Sequence, residues 1–414
     1  MGSEYPRILM FAPLCYPPVG SEAIVTSKLV LAMIEAGWTI RVISQANFGR
    51  YYPFSKEDYW NPLLSVSNSI PGINEKGIMA RLVGARLANK MRTISWVVKA
   101  LCAGLAALRK QKYDFVLSRA APQYGHLPAL IVSRVARIPW IANWSDPMPP
   151  QKAPPPYGGG PSANAPGLSN VYCRTIVRMA DWHTFPCERL RRYFSRIYPE
   201  LEGKSSVIPH IALEQFCIKP GDRGKDFSLC HTGSIALRDP SAFFEGLKLF
   251  REAVNPSESL RIAFIGHPDR ELQMKVQEAG LADIVCIESS KTYEETQLKA
   301  AASSVLVVIE APCEEGIFLP SKFVDFIQTG RPILAISPQP GTLNDLISAH
   351  GGGIAVDCSS PAMIAGALAT LYSEWRDGDI DEKYGSKRLF DLFSEHHVLK
   401  CFSRLFDDLS PDLT

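Results

Sequence analysis

Short apolar blocks alternate along this chain with longer segments of helical period. "RILMFAPL" predicts a buried strand. In "GSEAIVTSKLVLAMIEAG", which follows, Val25, Leu29, Ala32, Met33 and Ala36 fall at helical spacing and Gly37 supplies the stop. "TIRVIS" returns as a strand, completing a strand–helix–strand unit, the building block of a parallel sheet. The alternation recurs with "DFVLS", a helical stretch from about Tyr124 to Ala136, and "PWIAN", then with "VYCRTIVRMAD" and "HTFP". A second series begins after a connecting stretch at His210 to Phe227. Its strands are "SLCHTG", "LRIAFIG", "DIVCIE", "SVLVVIE", "PILAIS" and "GIAV". Helical period closes the chain from about Pro361 to Leu409. The pattern predicts an α/β protein of two doubly wound, Rossmann-like domains facing across a cleft. The expected bounds are residues 1–212 and 213–390, with a helical segment 391–414 packing back on the first domain. In such sheets ligands bind beyond the carboxyl ends of the strands, in loops that open into helices.

Composition narrows the class. With 46% hydrophobic and 21% charged residues in 414, a buried core is expected and global disorder is excluded. A formal net charge of +2 gives no case for nucleic acid as a partner. The ten cysteines include no Cys-x-x-Cys pair, which suits reduced thiols and a cytoplasmic location. No His/Asp cluster at ligand spacing predicts a metal, and the absence of Gly-x-Gly-x-x-Gly argues against a nicotinamide cofactor. The first apolar run lacks the flanks of a cleaved signal. No uninterrupted apolar stretch reaches the roughly 18–20 residues that cross a bilayer; "WVVKALCAGLAAL" is broken by Lys99. From Lys76 to Tyr113, however, there is no Asp or Glu, while nine Lys and Arg interleave with apolar residues and Trp96. A basic amphipathic helix of this kind suits peripheral contact with the inner face of an anionic membrane. The alternative is a helix packed on the sheet with a solvated basic face.

Five strand-to-helix loops are candidates for holding an anion. After the first strand, Gly20 permits close backbone approach and Ser21 and Glu22 open a helix. The loop can equally be an ordinary turn with Ser21 as N-cap. In "HTGSIALRDP", Gly233 and Ser234 offer backbone and hydroxyl donors, and Arg238 offers a fork that fits phosphate oxygens. His267 ends the strand "LRIAFIG", and "SSKTYEE" adds backbone groups only. The fifth loop leads into "LPSKFVDFIQTGRP". Lys322 and Asp325, three residues apart, project from one helix face. A lysine in a first helical turn opposes the helix dipole, a penalty that a bound phosphate would reverse. Asp325, one turn deeper, suits two ribose hydroxyls.

In this order the motifs resemble the glycosyltransferase family 4 type of nucleotide-sugar-dependent enzyme, with its two-domain GT-B fold, over nearly the whole chain. "LPSKFVDFIQTGRPILA" looks like that family's carboxylate helix, and "HTGSIALRDPSAFFEGLKLF" like the start of its second domain. The resemblance implies that Asp325 contacts the donor ribose, that Lys322 and Arg238 hold the donor diphosphate, and that Gly20 and Ser21 approach it from the other domain, while Ser234, after Gly233, replaces the basic residue the family usually has there. It implies transfer with retention and with no metal; the basic segment suits a glycan or lipid-linked acceptor, as in cell-envelope polysaccharide or glycolipid assembly. Several positions depart from the family pattern. Counting back from Asp325 places the family's first glutamate at Ile317, which leaves Glu314 and Glu315 out of register. Ser118 and Arg119 stand where the family often has a catalytic histidine, so His126, farther on, is the remaining histidine candidate. Asp146, in "PWIANWSDPMPP", takes the position of the family's carboxylate and is the candidate for orienting sugar or acceptor. The Pro- and Gly-rich segment Asp146 to Gly167 is expected to be a mobile acceptor loop. Nucleotide-sugar 2-epimerases share the architecture, and a non-catalytic partner of an active transferase is a further reading.

Overall fold

The computed structural model describes residues 5–16, 20–46, 60–71, 85–120, 122–217, 226–255, 260–266 and 270–409. It divides into two compact units: Met1–Ala153, Pro161–Pro209 and Val398–Thr414 form the first, and Pro154–Gly160 with His210–His397 the second.

The first unit is built on β1 (Arg7–Phe11), β2 (Thr39–Ala46), β3 (Ser67–Pro71), β4 (Phe115–Arg119), β5 (Trp140–Asn143), β6 (Trp182–Phe185) and β7 (Ser205–Val207). They form one parallel sheet in the order β3-β2-β1-β4-β5-β6-β7. All five residues of β4 are buried, as expected for a strand covered on both faces. The two edge strands, "SNSIP" and "SSV", escaped the sequence reading because they carry almost no apolar signal. The helix Glu395–Leu409 brings Phe406 onto Phe115 at 4.3 Å and Trp38 at 5.6 Å, ring centre to centre.

The helix Ala85–Lys110 lies on this sheet through Trp96, Ala100 and Gly104, one turn apart. A Cβ on Gly104 would meet Phe11 Cζ at 2.7 Å and Val132 Cγ2 at 2.9 Å, so the helix approaches as closely as a glycine allows. Averaged over its length, the segment Lys90–Lys110 is apolar and long enough to cross a membrane, which corrects the count of uninterrupted apolar residues. Only 17% of that segment's apolar window is buried, through the face that carries Trp96, Ala100 and Gly104.

The second unit holds β8 (Phe227–Thr232), β9 (Leu260–Gly266), β10 (Val285–Ser289), β11 (Val305–Ile309), β12 (Ile333–Ser337) and β13 (Gly353–Asp357), all parallel, in the order β10-β9-β8-β11-β12-β13. β11 and β12 are buried throughout. Each sheet reverses its winding once, between β1 and β4 in the first unit and between β8 and β11 in the second. At these switch points neighbouring loops part and leave a crevice for a ligand.

The segment expected to be a mobile loop is held down. Tyr198 Oη donates to Met148 O at 2.9 Å, Tyr193 Oη donates to Lys152 O at 2.7 Å, and Lys152 Nζ donates to Pro161 O at 2.9 Å.

Candidate active site

The crevice of the second unit brings together three of the expected anion-binding residues, Gly233, Arg238 and Lys322. β8 runs out into Gly233, whose φ of 83° is the left-handed conformation that glycine adopts freely. Its N–H donates to Ile265 O at 2.8 Å. A Cβ on Gly266 would approach Gly233 O to 2.6 Å, so the loop crosses the end of β9 backbone on backbone. On its other side a Cβ on Gly233 would lie 3.5 Å from Lys322 Nζ. The lysine of "LPSK" is thus laid over the glycine of "HTGS".

His231, on β8, positions that lysine. One ring nitrogen, Nδ1, lies 2.9 Å from Val307 O, and the other, Nε2, lies 3.1 Å from Lys322 Nζ. A carbonyl can only accept, so Nδ1 carries the proton and Nε2 presents its lone pair to the ammonium. Burial, followed by the Lys322 charge, holds His231 well below its ordinary pKa, which keeps this tautomer neutral. Lys322 itself is pushed down to about 7, first by burial and then by the Arg238 guanidinium. Glu310, just past β11, is 5% exposed. Burial pushes its carboxyl up to about 7 against the pull of Arg238 and Lys322, and its Oε2 has no hydrogen-bond partner among the described residues. Tyr157 stands among the same groups, within the influence of Arg238 and Glu310, and meets the edge of Phe318 at 5.1 Å. A lysine whose pKa is lowered by burial and by a neighbouring guanidinium, beside glycine backbone, suits a ligand with two adjacent negative groups.

The other expected donor-side residues are placed differently. Asp325 is buried and accepts from Tyr293 Oη at 2.8 Å; Gln328 Nε2 donates to the same oxygen of Tyr293 at 3.0 Å. One Asp325 oxygen is therefore committed to tying two helices together. Glu315 is half-buried, and its carbonyl accepts from Cys313 Sγ at 3.1 Å. The carboxylate facing the two cations is Glu310, five residues earlier. Ser234 is exposed, and its hydroxyl caps Ala236 N at 3.1 Å. His267 lies outside the described residues. His231 and Glu310 were missed in the sequence because each reads as an ordinary position at or beside a strand end.

In the first unit, Gly20 is the N-cap of the helix Ser21–Glu35, a role the sequence also allowed for Ser21, which is exposed in the first turn. Asp146 is exposed after β5, close enough to Glu22 to raise its pKa. A catalytic part for His126 does not survive its surroundings. The ring is 0% exposed, Nδ1 lies 2.8 Å from Ser118 Oγ, and Trp144 packs on it at 4.5 Å. Burial drives it down to about 3, so it is a neutral core residue.

No family model and no curated protein matches the chain. Solved structures do. One is a glycosyltransferase from Rickettsia africae, at 10% identity over 99% of this chain and all of that one, with a TM-score of 0.68. A second is HepE of Anabaena, solved in complex with UDP and glucose, at 13% identity over 98% of this chain and all of that one, with a TM-score of 0.65. A third, from Listeria monocytogenes, is assigned as a UDP-N-acetylglucosamine 2-epimerase and matches at 11% identity, over 98% of this chain and 96% of that one, with a TM-score of 0.59. Together with the two parallel sheets these likenesses define the class: the chain has the GT-B fold, made of two Rossmann-like units.

Proposed function

We propose that this protein is a glycosyltransferase that takes a nucleoside-diphosphate sugar and passes the sugar to an acceptor hydroxyl. The observation that carries the reading is the meeting of Lys322, Arg238 and the Gly233 backbone at the β8–β11 switch point. The diphosphate is already a leaving group, so the protein's task is to neutralise the charge that builds on it and to hold the reactants in place. The two cations do the first without a metal. The departing phosphate takes the acceptor proton, which gives transfer with retention and calls for no separate base. Family 4 is the best-supported assignment, because "LPSKFVDFIQTGRPILA" looks like that family's carboxylate helix and its lysine lies beside the Gly233 backbone.

The test is thermal unfolding with UDP, GDP, dTDP, CDP and ADP, each also as a sugar conjugate. One of them is expected, at about a hundred times its Kd, to add roughly 2.7 kcal/mol, a shift of a few degrees in a chain of this size. If none shifts the transition, the reading fails. The likeness to the Listeria protein supports a second reading, an epimerase, in which Glu310 and Lys322, both near neutrality, would move protons on the sugar. Proton NMR of the stabilising nucleotide sugar separates the two: an epimer appearing without acceptor belongs to the second.

We also propose that the acceptor is a glycan or lipid-linked sugar met at the cytoplasmic face of a membrane, during assembly of cell-envelope material. From Lys90 to Lys110 there are five Lys and Arg and no Asp or Glu, and Ile94 and Val98 stand 64% and 54% exposed. That face suits anionic headgroups. The protein is expected to sediment with vesicles containing phosphatidylserine, less so as salt rises, and not with pure phosphatidylcholine. Equal sedimentation with both would remove the membrane from the proposal.

A further inference from the structure

Inside the Pro- and Gly-rich segment, the bond from Lys152 Nζ to Pro161 O closes a neck. Beyond that neck the chain reads "APPPYGGGP", a strap whose composition is Ala, Pro and Gly apart from Tyr157. Its tip is wound tight: the N–H groups of Tyr157 and Gly158 both donate to Pro154 O, at 2.9 and 3.1 Å. Three prolines stiffen the arm that leads in, and three glycines leave the arm that leads out free to turn. A Cβ on Gly160 would meet nothing within 4 Å, so its φ of 89°, not lack of room, is what calls for glycine there. Compact loops of this kind, closed at the neck, commonly serve function. Pro154–Gly160 packs with the second unit.

A strap built this way presents one side chain. The Tyr157 ring meets Phe318 edge-on, at 5.1 Å between centres and 75° between planes. Phe318 stands four residues before Lys322, and Ala311 directly follows Glu310. The Ala311 N–H faces the Tyr157 oxygen, so the tip is pinned between the loop after β11 and the helix Ser321–Ile327, beside the two cations. Arg238 and Glu310 act on the hydroxyl as charges, not through hydrogen bonds. Burial raises its pKa, so the hydroxyl keeps its proton and has it to give. Lys322 and Arg238 can likewise only donate. Three donors from three separate segments thus converge, and a phosphate, which at neutral pH is rich in acceptors, is the group that takes them all.

We infer that the strap Ala153–Pro161 is a lid on the second unit's crevice, and that Tyr157 Oη donates to a phosphate oxygen of the ligand held by Lys322 and Arg238. Phe318 is the seat of the lid and the glycines are its hinge, absorbing the backbone change between open and closed. That the phosphate belongs to a sugar donor rests on the glycosyltransferase reading; the closing of Tyr157 on a phosphate does not.

Calorimetric titration of the full chain with inorganic pyrophosphate, and with the nucleotide sugars already named, tests this. Tyr157→Phe keeps the ring on Phe318, so the free protein is expected to unfold at the wild-type temperature. Its affinity for pyrophosphate is expected to fall about tenfold, the effect of one hydrogen bond to a charged acceptor. Tyr157→Ala should lose at least as much. Hydrogen exchange reads the lid itself: pyrophosphate should protect the amides from Tyr157 to Gly160 in the wild type, and less so in Tyr157→Phe. Unchanged affinity in Tyr157→Phe, or no added protection of the strap, overturns the inference. Tighter binding in Tyr157→Ala also overturns it, since the tyrosine would then be a plug that the ligand displaces. If pyrophosphate binds in a Tyr157-dependent way and no nucleotide sugar binds, the transferase reading falls and the lid stands. A nucleotide sugar that binds with no regard to Tyr157 sinks the lid alone, and a wild type that takes neither sinks both.

Discussion

Replacing Lys322 by methionine is expected to weaken binding of the cognate nucleotide sugar by about thirtyfold, roughly 2 kcal/mol, the worth of a charge-assisted hydrogen bond to phosphate. The unliganded protein should unfold no earlier than the wild type. The reason is that the lysine is costly where it stands: half-buried beside Arg238, it is pushed down to about 7 by desolvation and by that guanidinium. That cost is fully present below about pH 7, where both folded and unfolded chains carry the charge, and has vanished above about pH 10, where neither does. Methionine removes the cost and keeps the packing against Gly233 and His231. Binding carries the same signature with opposite consequence. Above pH 7 the free site is largely neutral, so a bound diphosphate must draw a proton onto Lys322. Affinity should therefore be flat below about pH 7 and fall above it, by up to tenfold per unit, until the pKa of the bound form is passed. Glu310 works in the same direction: raised to about 7, it becomes an anion over that range and repels the ligand. Calorimetric titration of wild type and variant between pH 6 and 9 measures both effects. An unchanged affinity in Lys322→Met would place the diphosphate elsewhere.

The second unit was legible in the sequence, strand for strand, because parallel strands covered on both faces are continuous apolar runs. "VLVVI" and "ILAIS" are buried at every position. Edges carry less signal: β3 and β7 have one solvated side and mostly serine and asparagine. Lys322 was legible because a lysine in the first turn contradicts the helix preference, and a contradiction of that kind marks a function. His231 was not, since what defines it is Val307 on one side and Lys322 on the other, residues far apart in the chain that only the sheet order brings together. Glu310 was hidden by register: spacing from Asp325 pointed at Ile317, which is fully buried and apolar. His126 misled for the same reason that His231 hid. The groups that bury it, Ser118, Trp140 and Trp144, come from β4, from β5 and from the turn after it, and the helical pattern around the histidine carries no trace of them.

Truncating Asp381 to alanine is expected to destabilise the second unit by about 2–3 kcal/mol while leaving nucleotide affinity at the wild-type value. Arg331, the arginine of "TGRP", is 0% exposed. Its Nε donates to Ala301 O at 2.8 Å and its Nη1 to Asp381 Oδ2 at 2.9 Å. Breaking a buried pair from one side strands the remaining charge, at about 3–5 kcal/mol when both partners are deep. Asp381 is 30% exposed at its side chain, so water reaches the gap and the lower figure applies. In a unit of this size that is a fall of roughly 5–10 °C, which thermal unfolding resolves. Changing both partners, Arg331→Met with Asp381→Leu, should recover much of the loss, because an apolar pair needs no desolvation. The contrast with Lys322 carries the argument. Both cations lie in one continuous motif, nine residues apart, Arg331 fully buried and Lys322 half-buried. One is satisfied by the protein, so removing its partner costs stability and not binding. The other is held short of satisfaction, so removing it costs binding and not stability. A fall in nucleotide affinity in Asp381→Ala, measured below the onset of unfolding, would show that the two ends of the motif are not separable in this way.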